Sequence, residues 1–456
     1  MNTALGRLRR NAELGLIVLA VVITGGAYTL ASLGETASVP GDIGPFLLIV
    51  FGLLIVAHLA VRRLAPAADG ILLPLAALLN GIGYVFIARL KPSLAGLQAS
   101  WTAVGILAFV LTLVFVRRVR DLERYRYTFM FIGLGLLMLP LVPGLGVVIN
   151  GSRIWIRVGA FSTQPGEFAK IALALFFASY LVEKRELLGM ATWPQWRPVL
   201  PDPKHLGPVF IAWAVAIMVM TAQRDLGSSL LFFALFVVML WVATARAGYL
   251  VVGAGLFGVA AYGAYHAFAH VEERVSTWID PWTHFEKGYQ VIQSWYALAW
   301  GGLAGTGLAL GNPERIPVVY NDFIFAAIAE ELGLFGGAAI LMAYLLFVGS
   351  GLKIAIQAES SFEKLLAAGL TTIIGVQAFV IIAGVTRVLP LTGVTLPFVS
   401  YGGSSLLANY ILLAILMRIS DSTAVRLGEV APRKPSRRER RRAQTTDATG
   451  VIEVTS

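Results

Sequence analysis

Residues 270–337 read HVEERVSTWIDPWTHFEKGYQVIQSWYALAWGGLAGTGLALGNPERIPVVYNDFIFAAIAEELGLFGG, and they form the longest polar interruption in an otherwise apolar chain. Near the end of this stretch, Asp322, Glu330 and Glu331 lead directly into an apolar helix. Ionised side chains inside a membrane span are costly, so these residues are expected to face a polar cavity or partner groups rather than lipid. The stretch therefore predicts a functional site where the chain leaves the membrane.

The composition around this stretch is that of a membrane protein. Hydrophobic residues make up 57% of the 456 residues, and charged residues make up only 14%. Soluble domains carry about 25% charged residues, which they need to cover their surface. The chain has no cysteine, which excludes disulfide bonds and thiolate metal sites. The composition therefore predicts a polytopic membrane protein.

Twelve apolar runs are long enough to cross a hydrocarbon core of ~30 Å. Backbone polar groups in lipid must be satisfied within their own segment, which favours helices. The predicted fold is therefore all-α, a polytopic membrane helix bundle of twelve transmembrane helices. The predicted spans cover residues 14–33, 44–62, 71–88, 98–116, 128–149, 166–183, 207–222, 226–245, 248–268, 323–350, 365–384 and 402–419.

The net charge of +10 comes from basic residues that cluster in alternate short loops and in the C-terminal tail. By the positive-inside rule, this pattern places both termini in the cytoplasm. The loops 150–165, 223–225, 269–322 and 385–401 are then external. Because the basic residues act as topology signals, no nucleic acid is predicted as a partner. The basic tail, 421–456, predicts a disordered cytoplasmic segment that binds anionic membrane lipids.

Several ordered sequence blocks resemble the SEDS family (shape, elongation, division and sporulation), the RodA and FtsW type of bacterial cell-wall polymerase. The blocks are GSRIWI at 151–156, QPGEFAK at 164–170, QRDLGSS at 223–229, RVSTWIDPW at 274–282, GYQVIQS at 288–294, NDFIFA at 321–326 and LPFVSYGGSS at 396–405. The resemblance implies a ten-helix core over 66–420, with a catalytic external loop at 269–322. Residues 1–65 then form extra N-terminal helices, as in some actinobacterial relatives, with a role in anchoring or packing.

The resemblance also implies a function in the plasma membrane of a bacterium. Members of the family are peptidoglycan glycosyltransferases, hexosyltransferases that polymerise lipid II into glycan strands during elongation or division, and this chain looks more RodA-like than FtsW-like. The implied partner is a class B penicillin-binding protein, a transpeptidase. A divalent cation such as Mg²⁺ or Mn²⁺ could share the diphosphate charge, although no residue spacing identifies a metal site. Two alternatives stay open, a lipid II flippase and a non-catalytic scaffold of the cell-wall synthesis complex.

The catalytic carboxylate departs from the family pattern. The family commonly carries it as the Asp of a D-P-x-G-x-G-Y-Q run, whereas this chain reads D-P-W-T-H-F-E-K-G-Y-Q from residue 280. Asp280 is the predicted general base, with His284 and Glu286 as alternatives. The competing interpretation is that Asp280 only caps its loop.

The other candidate residues are predicted to bind substrate. Gln164, Glu167 and Lys170 fall on one face of a helix, where Lys170 either neutralises diphosphate or pairs with Glu167. Asp225 and Asp322 precede apolar runs and are also explained as helix N-caps. The full predicted set is Arg153, Gln164, Glu167, Lys170, Asp322, Glu330, Ser400 and Ser404.

Overall fold

The computed structural model describes residues 2–39, 41, 43–149, 151–158, 161–189, 203–283 and 285–427. Within these ranges the chain forms fourteen α-helices and one small sheet. The helices are α1 (Asn2–Thr36), α2 (Ile43–Leu64), α3 (Leu72–Leu90), α4 (Pro92–Phe115), α5 (Arg126–Met138), α6 (Gly166–Gly189), α7 (Pro203–Ala222), α8 (Leu226–Thr244), α9 (Gly248–Ala267), α10 (Ala269–Ile279), α11 (Phe285–Gly301), α12 (Ile324–Gln357), α13 (Ser361–Val385) and α14 (Gly403–Arg426).

A helix lies at each of the twelve predicted spans, which confirms the helical bundle. Nine of the described helices are long and apolar enough to cross a membrane: α1 to α4, α8, α9 and α12 to α14. The runs at 207–222 and 226–245 form two separate helices, α7 and α8, because the chain turns at Gln223–Asp225. The part of the chain that the structure describes therefore supports a multi-pass membrane protein.

The predicted span at 128–149 is wrong in its second half. Helix α5 ends at Met138, and a short 3₁₀ turn at Leu139–Leu141 follows. Proline at position 140 lacks the N–H that a continuing helix requires. The chain then forms a three-stranded antiparallel sheet of β1 (Gly146–Ile149), β2 (Ser152–Val158) and β3 (Phe161–Thr163), with β2 in the middle. The loop predicted at 150–165 is therefore largely β-structure.

The N-terminal helices pack directly on the rest of the bundle. Helix α1 lies against α3 so closely that a Cβ at Gly81 would meet the Thr24 hydroxyl at 2.1 Å. At the other end of α1, the buried Arg10 donates hydrogen bonds to Glu13 and to the Ala68 carbonyl. His58 of α2 lies 2.7 Å from Glu13 and is also buried. These contacts join α1 and α2 to the start of α3 through a buried charged cluster.

The loop predicted at 269–322 contains two helices, α10 and α11, that the sequence pattern did not separate from loop. Helix α12 begins directly afterwards and is interrupted at Gly333, where the backbone is not helical (φ 66°, ψ −166°). The N–H groups of Leu334 and Phe335 donate to the carbonyls of Gly302 and Leu303 there. The backbone at the break in α12 is thus hydrogen-bonded to the residues that follow α11.

The last helix extends further than predicted. Helix α14 continues to Arg426, six residues into the segment assigned to a disordered tail from residue 421. One side of its final turns is buried, at Ser420, Thr423 and Ala424. The rest of the predicted tail, 428–456, lies outside the described residues.

Candidate functional site

The predicted pair Glu167–Lys170 lies at the start of α6 and is buried. Pro165 sits just before the first turn, and the Lys170 Nζ is 2.8 Å from the Glu167 Oε2 one turn away. The Lys170 ammonium also donates to the Gln377 Oε1 of α13 at 3.1 Å, and Gln377 donates to the Thr395 carbonyl at 2.8 Å. A buried charge is tolerated when it is paired and hydrogen-bonded. This chain of contacts joins α6 and α13 to the segment between α13 and α14, residues 386–402.

The 386–402 segment is fixed by hydroxyl groups that the sequence predicted as site residues. Ser400 is buried, donates to the Asn321 carbonyl at 2.6 Å and accepts from the Leu396 N–H at 2.9 Å. Thr395 donates to the Ser405 hydroxyl at 2.9 Å. Ser404 is buried in the first turn of α14. Irregular backbone at membrane depth is tolerated where it is buried in protein, which is the case for much of this segment.

Asp322 faces the same segment from the start of α12. The Arg274 guanidinium of α10 donates to the Thr392 carbonyl at 2.8 Å and to the Leu391 carbonyl at 3.3 Å. A Cβ at Gly393 would lie 3.6 Å from the Asp322 Oδ2 and 3.8 Å from an Arg274 nitrogen. The Asp322 carboxyl and the Arg274 guanidinium therefore both lie next to Gly393. Desolvation raises the pKa of Asp322 to about 6, although the positive charge of Arg274 opposes the shift.

Asp280 lies at the C-terminal end of α10 and is exposed. Its carboxylate accepts hydrogen bonds from the Thr283 hydroxyl and from the Trp282 N–H, the latter at 3.0 Å. These hydrogen bonds lower the pKa of Asp280 below its ordinary value, and the bond from the Thr283 hydroxyl has the largest effect. The predicted loop-capping contacts are therefore present, and the carboxylate is ionised at neutral pH.

Arg387, in the 386–402 segment, contacts the end of α10 directly before the turn at residues 280–283. Its guanidinium donates to the Ile279 carbonyl at 2.8 Å, and its Cζ lies 4.5 Å above the Trp295 ring. In return, the Trp278 indole donates to the Arg387 carbonyl at 3.0 Å. Glu286, an alternative base, is exposed in the first turn of α11. The other alternative, His284, lies outside the described residues.

An open cavity of about 290 Å³ lies between α11, the loop before α12 and α12 itself. The ring of Trp282 lies 6.3 Å from the ring of Tyr296, which lines the cavity together with Trp300. The polar groups of the lining come from α11, from the loop before α12 and from α12 itself: Gln293, Asn312, Arg315 and Glu330. Aromatic walls with a few placed polar groups are typical of small-molecule sites.

Glu330 combines a place in this cavity with a structural contact. Its carboxylate accepts from the Asn312 N–H at 2.7 Å, and its carbonyl accepts from the Thr306 N–H at 2.9 Å. The neighbouring Glu331 lies 2.8 Å from the Arg89 guanidinium of α3. Glu330 and Glu331 therefore hold the loop after α11 against α12 and α3.

Gln164 and Arg153 lie at the small sheet, near the start of α6. Gln164 lines a small cleft with Gln223 and Asp225, and the Arg153 N–H donates to the Gln223 carbonyl at 3.1 Å. The Arg153 Nε is buried without a hydrogen-bond partner in the described structure. Asp225 accepts from the Ser228 N–H at 3.0 Å, so it is the N-cap of α8, and desolvation raises its pKa.

The structure thus places the predicted residues in related groups. Glu167, Lys170, Asp322 and Ser404 lie around the 386–402 segment, Ser400 lies within it, and Arg387 of the same segment donates to the end of α10, next to Asp280. Sequence analysis missed Gln377, Thr395 and Arg387. An isolated amide in an apolar run is the signal that could have identified Gln377, because polar groups inside a membrane span need partners.

This arrangement defines a class of protein: a multi-pass membrane protein with a charged, hydrogen-bonded site at one end of its helix bundle. Comparison with known proteins gives the family. The chain belongs to the FtsW/RodA/SpoVE family, because the family model described as "Cell cycle protein" matches residues 89–425. This match confirms the resemblance drawn from the sequence blocks.

Named relatives cover most of the chain. It is 46% identical over 425 residues to the peptidoglycan glycosyltransferase RodA of Mycobacterium tuberculosis, an alignment that spans 90% of each chain. It is 44% identical over 426 residues to the protein of the same name from Mycobacterium leprae, across 91% of each chain. Stage V sporulation protein E of Bacillus subtilis is 38% identical over 289 residues, which are 62% of this chain and 76% of that protein.

Two solved structures share the fold. A chain from a structure described as the coordination of polymerization and crosslinking by a peptidoglycan synthase complex matches with a TM-score of 0.65 and 28% identity. The crystal structure of the rod shape determining protein RodA from Thermus thermophilus matches with a TM-score of 0.57 and 25% identity. Each match covers 78% of this chain and 98% of the other.

Proposed function

We propose that this protein is a peptidoglycan glycosyltransferase that polymerises lipid II in the bacterial plasma membrane. The observation that carries the proposal is the exposed Asp280 carboxylate, because the ring of Trp282 in the same turn lies 6.3 Å from the ring of Tyr296 in the wall of the aromatic cavity. The names of the mycobacterial relatives support the same activity. By the positive-inside rule, this end of the bundle faces outward and both termini are cytoplasmic.

The proposed reaction is a direct displacement at an anomeric carbon. Asp280 accepts the proton of a sugar hydroxyl, the hydroxyl oxygen forms the new glycosidic bond, and the bond to the lipid diphosphate breaks. The Oδ2 of Asp280 accepts one hydrogen bond, from Thr283, so a second lone pair is available for the proton. A general base of this kind contributes about 10²- to 10⁴-fold to a rate.

The departing diphosphate needs positive charge, which stabilises the charge that develops as the bond breaks. In this proposal Lys170, Arg153 and Arg274 are the candidate cations, while Gln164, Glu167, Asp322, Glu330, Ser400 and Ser404 shape or bind the substrate. Mg²⁺ or Mn²⁺ would share that charge. No group of three or more His, Asp or Glu side chains that could hold a metal lies within the described ranges, so no step is derived through a metal.

The proposal includes a partner, a class B penicillin-binding protein that crosslinks the new strands. The structural match to a chain of a peptidoglycan synthase complex supports this pairing. The organisation is a membrane core over residues 66–420, an N-terminal pair of helices over 1–65, and a basic tail that contacts anionic lipids. Elongation is the favoured cellular role, because the relatives that match over most of the chain are named RodA.

The test is polymerisation of purified lipid II in liposomes by the wild-type chain with its transpeptidase partner. Glycan ladders on a gel are the expected result. A parallel liposome assay follows the movement of fluorescent lipid II across the bilayer. Translocation without polymer would contradict the proposal in favour of a flippase, and the lack of both would favour a scaffold.

A further inference from the structure

A second cavity, of about 360 Å³, lies where the turn between α7 and α8 meets the junction of α9 and α10. Its side chains include Thr221, Arg224, Phe268 and His270, and the rest of its lining is alanine. It is separate in its lining residues from the aromatic cavity described above. Arg224 and His270 bring a guanidinium and an imidazole into the lining, whereas a lipid-facing groove is lined by apolar side chains.

Arg224 is held at this cavity by a constrained backbone. Its φ of 58° lies in the left-handed region, which a non-glycine residue rarely adopts unless its surroundings hold it there. The Ser152 hydroxyl of β2 donates to its carbonyl at 3.2 Å, and its N–H donates to the Thr221 carbonyl at 3.1 Å. Its exposed guanidinium forms no ion pair or hydrogen bond with the described part of the chain.

His270 lines the same cavity and carries an unsatisfied ring nitrogen. Its Nε2 is buried and has no hydrogen-bond partner among the described residues. Desolvation lowers the pKa of His270, and the positive charges of Arg274 and Arg224 lower it further. The carboxylates nearest in sequence, Glu272 and Glu273, are both exposed, and Glu273 lies 3.2 Å from Lys287. Arg224 is therefore the cation of this cavity, and it has no ion-pair partner in the described part of the chain.

We propose that this cavity is an anion subsite in which Arg224 and His270 bind the phosphate groups of a membrane lipid. A guanidinium donates two parallel hydrogen bonds to phosphate oxygens, and an imidazole N–H adds a third donor. The same chemistry serves two ligands, a polyprenyl diphosphate and the headgroup of an anionic phospholipid. Assignment to the diphosphate rests on the proposed function, because that group is the leaving group of the transfer.

The test is binding of a polyprenyl diphosphate to the full-length protein in nanodiscs of neutral lipid, followed by intrinsic tryptophan fluorescence. Arg224→Gln removes the positive charge and the paired guanidinium donors, and His270→Leu removes the ring donor, so each is expected to weaken binding by about tenfold or more. Arg224→Gly removes the same guanidinium and suits the left-handed backbone, so it guards against misfolding. Arg246→Gln, which changes an exposed arginine between α8 and α9, is the matched control and should bind like wild type.

The two ligand sources are separated by competition. Displacement by polyprenyl diphosphate but not by phosphatidylglycerol assigns the subsite to the diphosphate, and equal displacement assigns it to a phospholipid headgroup. Wild-type affinity in all of the Arg224 and His270 variants would overturn the subsite, as would an equal loss in Arg246→Gln. If the protein polymerises lipid II but its diphosphate binding does not depend on Arg224 and His270, the subsite alone is refuted. If binding depends on these two residues but the protein makes no polymer, the proposed function alone is refuted.

Discussion

The buried Glu167–Lys170 pair is the contact on which the site most depends at the scale of single residues. Lys170→Met leaves the Glu167 carboxylate without its cation in a buried position, and such losses cost about 3–5 kcal/mol. We expect a large fall in the thermal unfolding temperature in detergent. The matched control is Lys287→Met, which breaks the exposed pair with Glu273 and should cost about 1 kcal/mol or less.

The double variant Glu167→Gln with Lys170→Met distinguishes the effect of an unpaired buried charge from the effect of altered packing. It removes both charges, so much of the unfolding temperature lost in Lys170→Met should return. If Lys170→Met and Lys287→Met unfolded at the same temperature, the buried pair would not hold α6 as the structure indicates.

Asp322 gives the protein a pH-dependent stability with a defined sign. Its pKa is raised from 3.8 to about 6, so the folded state binds this proton more tightly than the unfolded state. The contribution is therefore complete below about pH 4 and is lost as the pH rises through about 6. A pKa rise from 3.8 to about 6 corresponds to at most about 3 kcal/mol.

Asp322→Asn should remove this part of the pH dependence. The unfolding temperature of the wild type, measured from pH 4 to pH 7, is expected to contain a downward slope that the variant lacks. An identical slope in both proteins would show that Asp322 does not titrate near 6. The measurement uses one buffer series and one detergent, so the two curves differ only in this carboxyl group.

The sequence predicted individual residues better than their partners. Helical spacing placed Glu167 and Lys170 on one face, and the structure confirms their ion pair. The same spacing says nothing about Gln377, whose contact with Lys170 spans 207 residues of sequence. Such a contact depends on how α6 and α13 pack, which a pattern within one helix does not encode.

At the scale of elements, the break in α12 is held by Gly333. A Cβ there would lie 2.3 Å from the Gly305 nitrogen and 2.5 Å from the Leu303 carbonyl oxygen, and φ is positive. Gly333→Ala should therefore cost about 1–3 kcal/mol and detach the loop after α11. Limited proteolysis of that loop and the unfolding temperature measure both effects.

Gly349→Ala is the control within the same helix. Nothing lies within 4 Å of a Cβ at Gly349, and its backbone is helical. Alanine there should be neutral or should stabilise the helix by up to about 1 kcal/mol. Equal destabilisation by the two substitutions would contradict a special role for Gly333.

Apolar runs predicted the long helices because lipid imposes a length and an internal hydrogen-bond pattern on them. They did not predict the sheet at Gly146–Thr163, because Val147, Val148 and Ile149 continue an apolar run after α5. The polar sequence of 269–322 likewise concealed α10 and α11, which lie at the rim of the bundle. Outside the lipid, element type depends on tertiary contacts that hydropathy does not record.

At the scale of the whole molecule, the orientation in the membrane is a prediction that the chain makes easy to test. It has no cysteine, so a single introduced cysteine reports its own side. Glu286→Cys lies at the site end of the bundle, and Glu359→Cys lies between α12 and α13, where Arg120 is its ion-pair partner. A membrane-impermeant maleimide should label position 286 in intact cells and position 359 only after permeabilisation. The opposite pattern would place the site in the cytoplasm.

The central claim is that the exposed Asp280 carboxylate is the base of a glycosyl transfer. The most direct measurement compares the initial rate of lipid II polymerisation by wild type, Asp280→Asn and Glu286→Gln, each with the transpeptidase partner. We predict a loss of about 100-fold or more in Asp280→Asn and near wild-type rates in Glu286→Gln. Asp280 is exposed and its bonds lie within its own turn, so folding should be retained, which the unfolding temperature checks. Polymerisation by Asp280→Asn at the wild-type rate would contradict the assignment.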